Sequence, residues 1–421
     1  QGCLFSPYLF ALYLNDLWEE IGGGVRVAGN RIKALAFADD VALLASDPTT
    51  LQLMIKDLEL YCKKNNFSIN KGKTKILIFK NGGRRAAGEK WVLEGEELEV
   101  VDSYKYLGIT LKSSLSLDEH FKGKSAAANY AMNNAWNLLL SKREVPMEAK
   151  DRVFQAVVQS SIFYGVQVWG YRRQPLVEKC QYAYLRKLFS LPWNTPLYML
   201  HLEAERSSLY LQGLQIHVNY ICRCLALPES RYPKILAVET WNKNTFWAVE
   251  WRRLGVELGL EFRIEDGVAR LKEQWKMALE MLKTREREAW MNRASQSVWQ
   301  SHYHGLMLEG PPPNYKRIAN GRDANWVFKL RGGLIYLNFQ PWRGPQQQRC
   351  SMCNMNATED VFHFVGACPI LREFRVRWLG VPVMGRTECL AIMKNPEAGK
   401  IGAYCAQAWQ YRHALIREFN Y

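Results

Sequence analysis

The sequence predicts an α+β fold, with an antiparallel sheet near the amino-terminal end and helices over most of the remainder. Two apolar runs of strand length and composition flank a pair of aspartates, Asp39 and Asp40. Further strand-like runs follow at residues 75–79, 98–101 and 104–111. From residue 118 onward, apolar residues recur at helical spacing, which indicates a predominantly helical second part.

The first helices have recognisable ends. Ser6 suits the N-cap and Pro7 the first position of a helix over residues 8–21, and the glycines at 22–24 end it. Asp47 precedes a second apolar pattern of helical period, so it predicts the start of another helix. These helices alternate with the strand-like runs, as an α+β domain requires.

Residues 32–45 predict a β-hairpin with Ala38, Asp39 and Asp40 at its tip. Two neighbouring carboxylates at a buried tip repel each other and resist double ionisation. A divalent cation removes this cost, because Mg²⁺ takes hard oxygen ligands and bridges to phosphate. Such a tip suits a two-metal nucleotidyl-transfer site. The alternative is an ordinary turn between two core strands, since aspartate favours turns.

Composition and helix starts divide the chain into four segments: 1–115, 116–230, 231–345 and 346–421. The second segment predicts helices that begin near Asp118, Pro146 and Pro175. The third is a connector that ends in a stretch with seven basic residues and one acid, interleaved with aromatic residues. The basic residues are Lys316, Arg317, Arg322, Lys329, Arg331, Arg343 and Arg349, and the aromatic residues are Tyr315, Trp326, Phe328, Tyr336, Phe339 and Trp342. This pattern suits a surface that tracks a nucleic-acid strand, or else a small domain with a basic surface and an aromatic core.

The fourth segment contains a Cys-Cys-His-Cys pattern formed by Cys350, Cys353, His363 and Cys368. Two residues separate the first two cysteines, nine precede the histidine, and four separate it from the last cysteine. Four soft ligands leave no open position for water, so the pattern predicts a structural Zn²⁺ site. The alternative is four buried residues of a small helical subdomain. A closing helix is expected over residues 403–419.

The charge balance favours a polyanionic partner. The chain has 56 lysine and arginine residues against 41 acids, which gives a net charge of +15. No apolar run has transmembrane length and no signal-peptide pattern occurs, so a membrane role is not expected. Ten cysteines, scattered apart from the cluster, suit a reducing compartment better than a disulfide scaffold.

Four short motifs occur in one order, and together they carry a resemblance. They are Gln-Gly-x-x-x-Ser-Pro at residue 1, Phe-Ala-Asp-Asp at 37, Asn-x-x-Lys-Thr at 70 and Tyr-Leu-Gly at 106. This set resembles the second half of the palm of a reverse transcriptase of the non-LTR retrotransposon (LINE-like) kind. The resemblance extends over residues 1–230 and again over residues 345–370, where a similar Cys-Cys-His-Cys motif follows the thumb in that family.

The resemblance implies roles for the matched residues. Asp39 and Asp40 would bind the catalytic Mg²⁺, and Lys73 would assist the departure of pyrophosphate. Gln1 and Gly2 would line the pocket for the incoming nucleotide and the template.

The remaining matches imply the domain order. Leu107 and Gly108, within Tyr-Leu-Gly, would belong to the strand that grips the primer end. Residues 1–115 would be a partial palm, 116–230 a helical thumb, 231–345 a basic helical connector, and 346–421 the zinc knuckle with its closing helix.

By this resemblance, the parent protein would be an RNA-directed DNA polymerase. Its partners would be an RNA template, a DNA primer or target and deoxynucleoside triphosphates, with Mg²⁺ for two-metal catalysis and a structural Zn²⁺. It would act as a ribonucleoprotein in the nucleus and cytoplasm. The patterns do not predict its oligomeric state, its target site or the type of its nuclease.

The family's fingers and first catalytic aspartate precede the Gln-Gly motif. We therefore expect this chain to be a fragment without them, and residues 1–421 alone to be inactive. One alternative is a non-catalytic nucleic-acid-binding remnant or a domesticated protein. Another is a polymerase of related fold, such as an intron maturase or telomerase. The intact Asp39–Asp40 pair favours the enzyme, because nothing structural demands two acids there.

Overall fold

The computed structural model describes residues 4–80, 89–142 and 144–418. Gln1 and Gly2, which the Gln-Gly motif predicts to line a nucleotide pocket, lie outside the described residues. The chain divides into two compact units. The first comprises Gln1–Lys122, Tyr220–Glu257 and Glu261–Leu271, and the second comprises Gly123–Asn219, Leu258–Leu260 and Lys272–Tyr421.

The strands of the first unit form short pairs. They are β1 (Val25–Val27), β2 (Asn30–Ile32), β3 (Ala34–Phe37), β4 (Asp40–Leu43), β5 (Ile76–Leu77), β6 (Val92–Leu93), β7 (Glu96–Glu97), β8 (Val100–Val101), β9 (Ser103–Tyr106) and β10 (Ile109–Lys112). Antiparallel pairing joins β1 to β2, β3 to β4, β6 to β7 and β9 to β10. One pair, β5 with β8, is parallel. Mixed helices and small antiparallel sheets confirm the α+β class, but in the described chain the strands remain in pairs instead of one continuous antiparallel sheet.

The run at residues 104–111, predicted as one strand, is a hairpin instead. Tyr106 pairs with Ile109, so β9 and β10 meet at a two-residue turn. Leu107 has φ +46° and Gly108 has φ +78°, and two positive φ angles are the feature of a type I′ turn. The prediction that Leu107 and Gly108 lie within a strand is therefore wrong: they form the turn between two strands.

The helix predicted over residues 8–21 is two helices, α1 (Ser6–Tyr13) and α2 (Leu17–Glu20). Between them, the Tyr61 hydroxyl lies 3.1 Å from the Tyr13 carbonyl oxygen and 2.5 Å from Asp16 Oδ1. These contacts anchor the interruption to the third helix, α3 (Pro48–Lys64). Phe5 takes the N-cap position of α1, so the predicted Ser6 cap is one residue too late.

Helix α3 organises the core of the first unit. Asp47 caps it as predicted, because its Oδ1 accepts the Thr50 N–H at 2.8 Å. One side of the helix packs in a cluster with α2, and the other packs against residues from β5 and β6. The first cluster contains Leu17, Ile21, Met54 and Tyr61, and the second contains Ile55, Ile76, Trp91, Leu93 and Leu98.

Most of the remaining elements are α-helices, with short 3₁₀ and π-helical segments beside them. The α-helices are α4 (Asp118–Ala135), α5 (Met147–Val153), α6 (Ser160–Ile162), α7 (Val166–Trp169), α8 (Pro175–Leu188), α9 (Leu197–Glu203), α10 (Leu209–Leu225), α11 (Tyr232–Asn242), α12 (Trp247–Leu258), α13 (Val268–Ser295), α14 (Ser301–Leu308), α15 (Gly321–Arg331), α16 (Arg372–Leu379), α17 (Arg386–Lys394) and α18 (Ala398–Glu418). The predicted helix starts near Asp118, Pro146 and Pro175 are confirmed. In the described part of the chain, no helix is both long and apolar enough to cross a bilayer.

The basic and aromatic stretch at residues 314–349 does not form one exposed strip. Tyr315, Phe328 and Arg331 are buried. Arg331 donates from Nε to Glu203 Oε1 at 2.5 Å, and Tyr315 also contacts that carboxylate. The interpretation as a continuous strand-tracking surface is wrong at these positions, because burial requires a charged side chain to find a partner and removes it from solvent.

Candidate functional site

The predicted Asp-Asp hairpin is confirmed as a backbone feature. Strands β3 and β4 pair with Phe37 opposite Asp40, so Ala38 and Asp39 alone form the turn. Ala38 has φ +51°, a conformation in which a side chain is strained. Both aspartates are exposed, so the tip is open to solvent rather than buried. The hairpin therefore presents two adjacent carboxylates outward.

Strand β9 lies near this tip. Burial and the charge of Asp40 raise the pKa of Tyr106, which indicates that the phenol and the carboxylate are close. Tyr104, two residues earlier, donates its hydroxyl to the Lys73 carbonyl oxygen at 3.0 Å. The Lys73 side chain is exposed. Strand β9 thus contacts the backbone of the Asn-x-x-Lys-Thr turn and carries Tyr106 near the aspartate tip.

The aspartate tip has too few ligands for tight metal binding by itself. Among the described residues, no group of three or more potential metal ligands includes Asp39 or Asp40. Mg²⁺ prefers octahedral oxygen coordination and retains several waters when a protein supplies one or two carboxylates. The pair therefore fits a weakly held Mg²⁺ whose remaining ligands are water and phosphate oxygens.

The Cys-Cys-His-Cys residues come together in the second unit. The ligand atoms of Cys350, Cys353, His363 and Cys368 all lie within 4.8 Å of one another, and all four residues are buried. Cys353 Sγ is 3.4 Å from His363 Nε2. A tetrahedral Zn²⁺ with ordinary bond lengths would separate a sulfur and a nitrogen ligand by about 3.5 Å. The cluster therefore has the donor set and the spacing of a closed four-ligand site.

The thiols of this cluster affect one another's protonation. A hydrogen bond to Cys368 and burial raise the pKa of Cys350 to about 12. The same hydrogen bond lowers the pKa of Cys368. Thiolates are the metal-binding form, so a bound cation would replace this shared proton with a stronger interaction.

Two buried arginines hold the segments around the cluster. Arg375 donates to the carbonyl oxygens of Val365 at 3.2 Å and Cys368 at 2.6 Å, which fixes the turn that bears two ligands. Arg412 of α18 donates to both carboxylate oxygens of Glu359, at 2.8 and 2.6 Å. The sequence analysis missed these residues, because a lone arginine or glutamate far along the chain gives no local signal of its partner.

The predicted site residues therefore fall into separate groups. Asp39, Asp40 and Lys73 lie in the first unit, as do the turn residues Leu107 and Gly108. The four cluster residues lie in the second unit. Asp39 and Asp40 are neighbours at the hairpin tip, and the four potential zinc ligands form a cluster of their own in the other unit. The catalytic roles assigned to the first group stay predictions.

Comparison with known proteins gives one family match near the amino-terminal end and several relatives that cover more of the chain. Residues 1–111 match the family described as reverse transcriptase (RNA-dependent DNA polymerase). The RNA-directed DNA polymerase from mobile element jockey of Drosophila funebris is 25% identical over 250 residues, which cover 55% of this chain and 27% of that protein. The Drosophila melanogaster jockey polymerase is 23% identical over 53% of the chain and 26% of its own length. The chain thus spans about a quarter of the jockey polymerases.

A further relative matches end to end. The Retrovirus-related Pol polyprotein from type-1 retrotransposable element R1 2 of Nasonia vitripennis is 21% identical over 440 residues, covering 100% of this chain and 98% of that protein. The aspartate hairpin and the β9–β10 turn lie inside the reverse transcriptase match, whereas the cysteine cluster lies outside it. This chain is therefore similar to the reverse transcriptases of LINE-like, non-LTR retrotransposons, with its family match at residues 1–111.

Proposed function

We propose that the parent protein is an RNA-directed DNA polymerase and that this chain contributes the aspartate hairpin of its active site. One observation carries the proposal: a two-residue turn presents Asp39 and Asp40 to solvent within the segment that matches the reverse transcriptase family. The strained Ala38 is costly for a purely structural turn, and the two exposed carboxylates beside it are useful for binding a cation.

The residues would act on the substrates as follows. Asp39 and Asp40 would hold Mg²⁺, which lowers the charge barrier to attack of a primer 3′-hydroxyl on a nucleotide α-phosphate. Lys73 would meet the departing pyrophosphate through its exposed ammonium group. The turn at Leu107 and Gly108 would contact the primer end. The substrates would be an RNA template, a DNA primer or target and deoxynucleoside triphosphates.

We assign the four segments the roles of partial palm (1–115), thumb (116–230), basic connector (231–345) and zinc knuckle with closing helix (346–421). The knuckle would bind one structural Zn²⁺ through Cys350, Cys353, His363 and Cys368. On the same family argument, the ribonucleoprotein would be found in the nucleus and cytoplasm.

The polymerase assignment is tested by primer extension on an RNA template with the full-length parent protein. Asp39→Asn should lower the rate by roughly a hundredfold or more, because a lost cation contact is worth several kcal/mol and each 1.4 kcal/mol is tenfold. Asp266→Asn removes an exposed acid of the same unit, which pairs with Arg270 at the surface, and should leave the rate unchanged. Equal activity of Asp39→Asn and wild type would contradict the assignment.

Primer extension together with a measurement of template and primer binding separates the polymerase from a non-catalytic nucleic-acid-binding protein. Residues 1–421 tested alone should not extend a primer, since two carboxylates without a third ligand hold Mg²⁺ poorly. A nucleic-acid-binding protein without catalysis would bind template and primer with the same affinity in wild type and Asp39→Asn, and neither the parent protein nor the fragment would extend the primer.

Metal analysis tests the knuckle. Purified protein should contain about one zinc per chain, and Cys350→Ser should lower that content because a neutral hydroxyl replaces a thiolate ligand. Cys389→Ser is the matched control, since Cys389 is also buried in the same unit but lies outside the four-residue cluster. Wild-type protein free of zinc after purification without chelator would rule out the site.

A further inference from the structure

The second unit contains a cavity that neither the aspartate hairpin nor the cysteine cluster uses. Its volume is about 110 Å³. A single water needs roughly 10–15 Å³ of such space, so the cavity has room for a planar ring system. The residues that matter for its chemistry are Trp299, His302, Phe339, Asp360, Phe362 and Arg386. All six lie within Lys272–Tyr421, so the cavity belongs to one compact unit.

The walls of the cavity are aromatic. The rings of Trp299 and Phe339 have centroids 5.1 Å apart and planes inclined by 50°. His302 contacts Phe362 edge to face, with ring centroids 5.3 Å apart. Buried Ile335 contributes aliphatic surface. Such walls favour a flat, polarisable ring over an aliphatic chain, because aromatic faces stack.

Two hydrogen-bond acceptors line the same space. His302 Nε2 lies 3.0 Å from the Arg331 carbonyl oxygen, which can only accept, so Nε2 carries the proton. Burial lowers the pKa of His302 to about 4, and the neutral ring is left with Nδ1 as an acceptor. The Asp360 carboxylate uses Oδ1 to accept the His363 N–H at 2.7 Å, which leaves its other oxygen available. The cavity therefore matches a ring that donates hydrogen bonds.

Arg386 supplies a positive charge at the cavity. The Arg386 guanidinium lies 4.1 Å from the centroid of the Phe362 ring and is otherwise exposed to solvent. In the described chain no acid forms an ion pair with it. An exposed guanidinium beside a ring pocket is suited to a phosphate attached to the bound ring.

From these contacts we infer that the cavity binds one unpaired nucleobase of a single nucleic-acid strand, preferring bases with an exocyclic amino group. The base would stack on Trp299 or Phe339, donate its amino protons to Asp360 or His302, and place its backbone phosphate near Arg386. Splayed bases that stack on aromatic side chains are the usual mode of single-strand recognition. Thymine and uracil lack the amino group and should bind less well.

This inference rests on the proposed function only in taking a polynucleotide as the natural partner. The net charge of +15 favours a polyanionic strand over an aromatic side chain of a protein partner. The pocket can be tested without polymerase activity, so the two proposals fail separately.

The probe is an oligothymidylate with one central 2-aminopurine, whose emission falls when the base stacks. The 421-residue chain should quench this probe and bind it roughly five- to a hundredfold more tightly than plain oligothymidylate. Ser301→Phe places a ring at the cavity lining and should abolish both the quenching and the preference. Ser160→Phe is the matched control, because Ser160 is an exposed serine of the same unit outside this lining.

Arg386→Gln should weaken binding of both oligonucleotides, whereas Arg377→Gln, an exposed arginine of α16, should not. Equal binding of the two oligonucleotides by wild type, or an unchanged preference in Ser301→Phe, would overturn the proposal. Reaction of the thiol introduced by Ser301→Cys with a thiol-specific label distinguishes other occupants of the cavity. Protection of this thiol from the label by the oligonucleotide probe supports a base within a strand. Protection only by free dATP, or only by phenylalaninamide, would overturn the proposal.

Discussion

At the scale of the residue, both turns of the candidate active site contain a non-glycine residue with positive φ. Ala38 precedes Asp39 in the first hairpin, and Leu107 precedes Gly108 in the second. Hydrophobic periodicity predicted the first turn because the aspartates interrupt two apolar runs. Periodicity missed the turn at Leu107 and Gly108, because leucine is common in strands and rare in type I′ turns.

Leu107→Asn should stabilise the protein by up to about 1 kcal/mol. Asparagine adopts positive φ at lower cost than leucine, and we expect this gain to exceed the loss of the apolar contacts that Leu107, 37% exposed, still makes. The measurement is the free energy of unfolding in urea. If Leu107 contacts the primer as proposed, the same substitution should slow primer extension by the parent protein.

Leu53→Asn makes the identical change at an exposed position of α3 and is the control. There asparagine is the poorer helix former, so stability should fall by about 0.5 kcal/mol. Equal destabilisation at the two positions would show that the positive φ of Leu107 does not govern its energetics.

At the scale of the element, a buried ion pair links the closing helix α18 to the segment between the cysteine ligands, where the Tyr404 hydroxyl of α18 also donates to the Phe364 carbonyl oxygen. Glu359 is 0% exposed and Arg412 is 5% exposed. The Asn338 N–H also donates to the same carboxylate, at 2.9 Å. The sequence analysis predicted both the closing helix and the grouping of the four cysteine and histidine residues. It could not predict their link, because 53 residues separate the two charges and most charged side chains are solvated.

Arg412→Met should destabilise the protein by about 3–5 kcal/mol, because it leaves a buried carboxylate without its counter-ion. The unfolding transition in urea, followed by circular dichroism, measures this loss. Arg417→Met, an exposed position on the same helix, should change stability by less than about 0.5 kcal/mol.

The double substitution Glu359→Leu with Arg412→Met checks the cause. Removing both charges together should recover much of the lost stability, since a buried pair replaced by apolar groups of similar size is often neutral. A double variant as unstable as Arg412→Met alone would attribute the loss to packing instead of charge.

At the scale of the whole molecule, each compact unit is assembled from distant parts of the chain. The first unit takes in Tyr220–Glu257, where Trp241, Trp247 and Trp251 pack their rings together. Periodicity located several helices of both units, where one apolar stripe is clear, but it did not locate α9 to α12 or the division between α1 and α2. It carried no information on which distant helices share a core, because many apolar stripes are interchangeable to first approximation.

The whole molecule should also lose stability in mild acid, and His217 contributes to this. Burial lowers the pKa of His217 to about 4, although its Nδ1–H donates to the Gln167 carbonyl oxygen at 2.7 Å. In the unfolded chain the same ring titrates near 6.5. The unfolded state therefore binds the proton first as pH falls. The stabilising contribution is complete above pH 6.5 and is lost as the pH falls towards 4, in total about 3 kcal/mol.

The test compares wild type with His217→Gln by urea unfolding at a series of pH values. Other acid-sensitive groups, including the cysteine cluster, are common to both proteins and cancel in the difference. The stability gap between wild type and variant should shift by about 3 kcal/mol between pH 7 and pH 4, in favour of the variant at low pH. His413→Gln, which changes an exposed histidine of α18, is the matched control. A constant gap for His217→Gln would mean that this ring is protonated equally in the folded and unfolded chains.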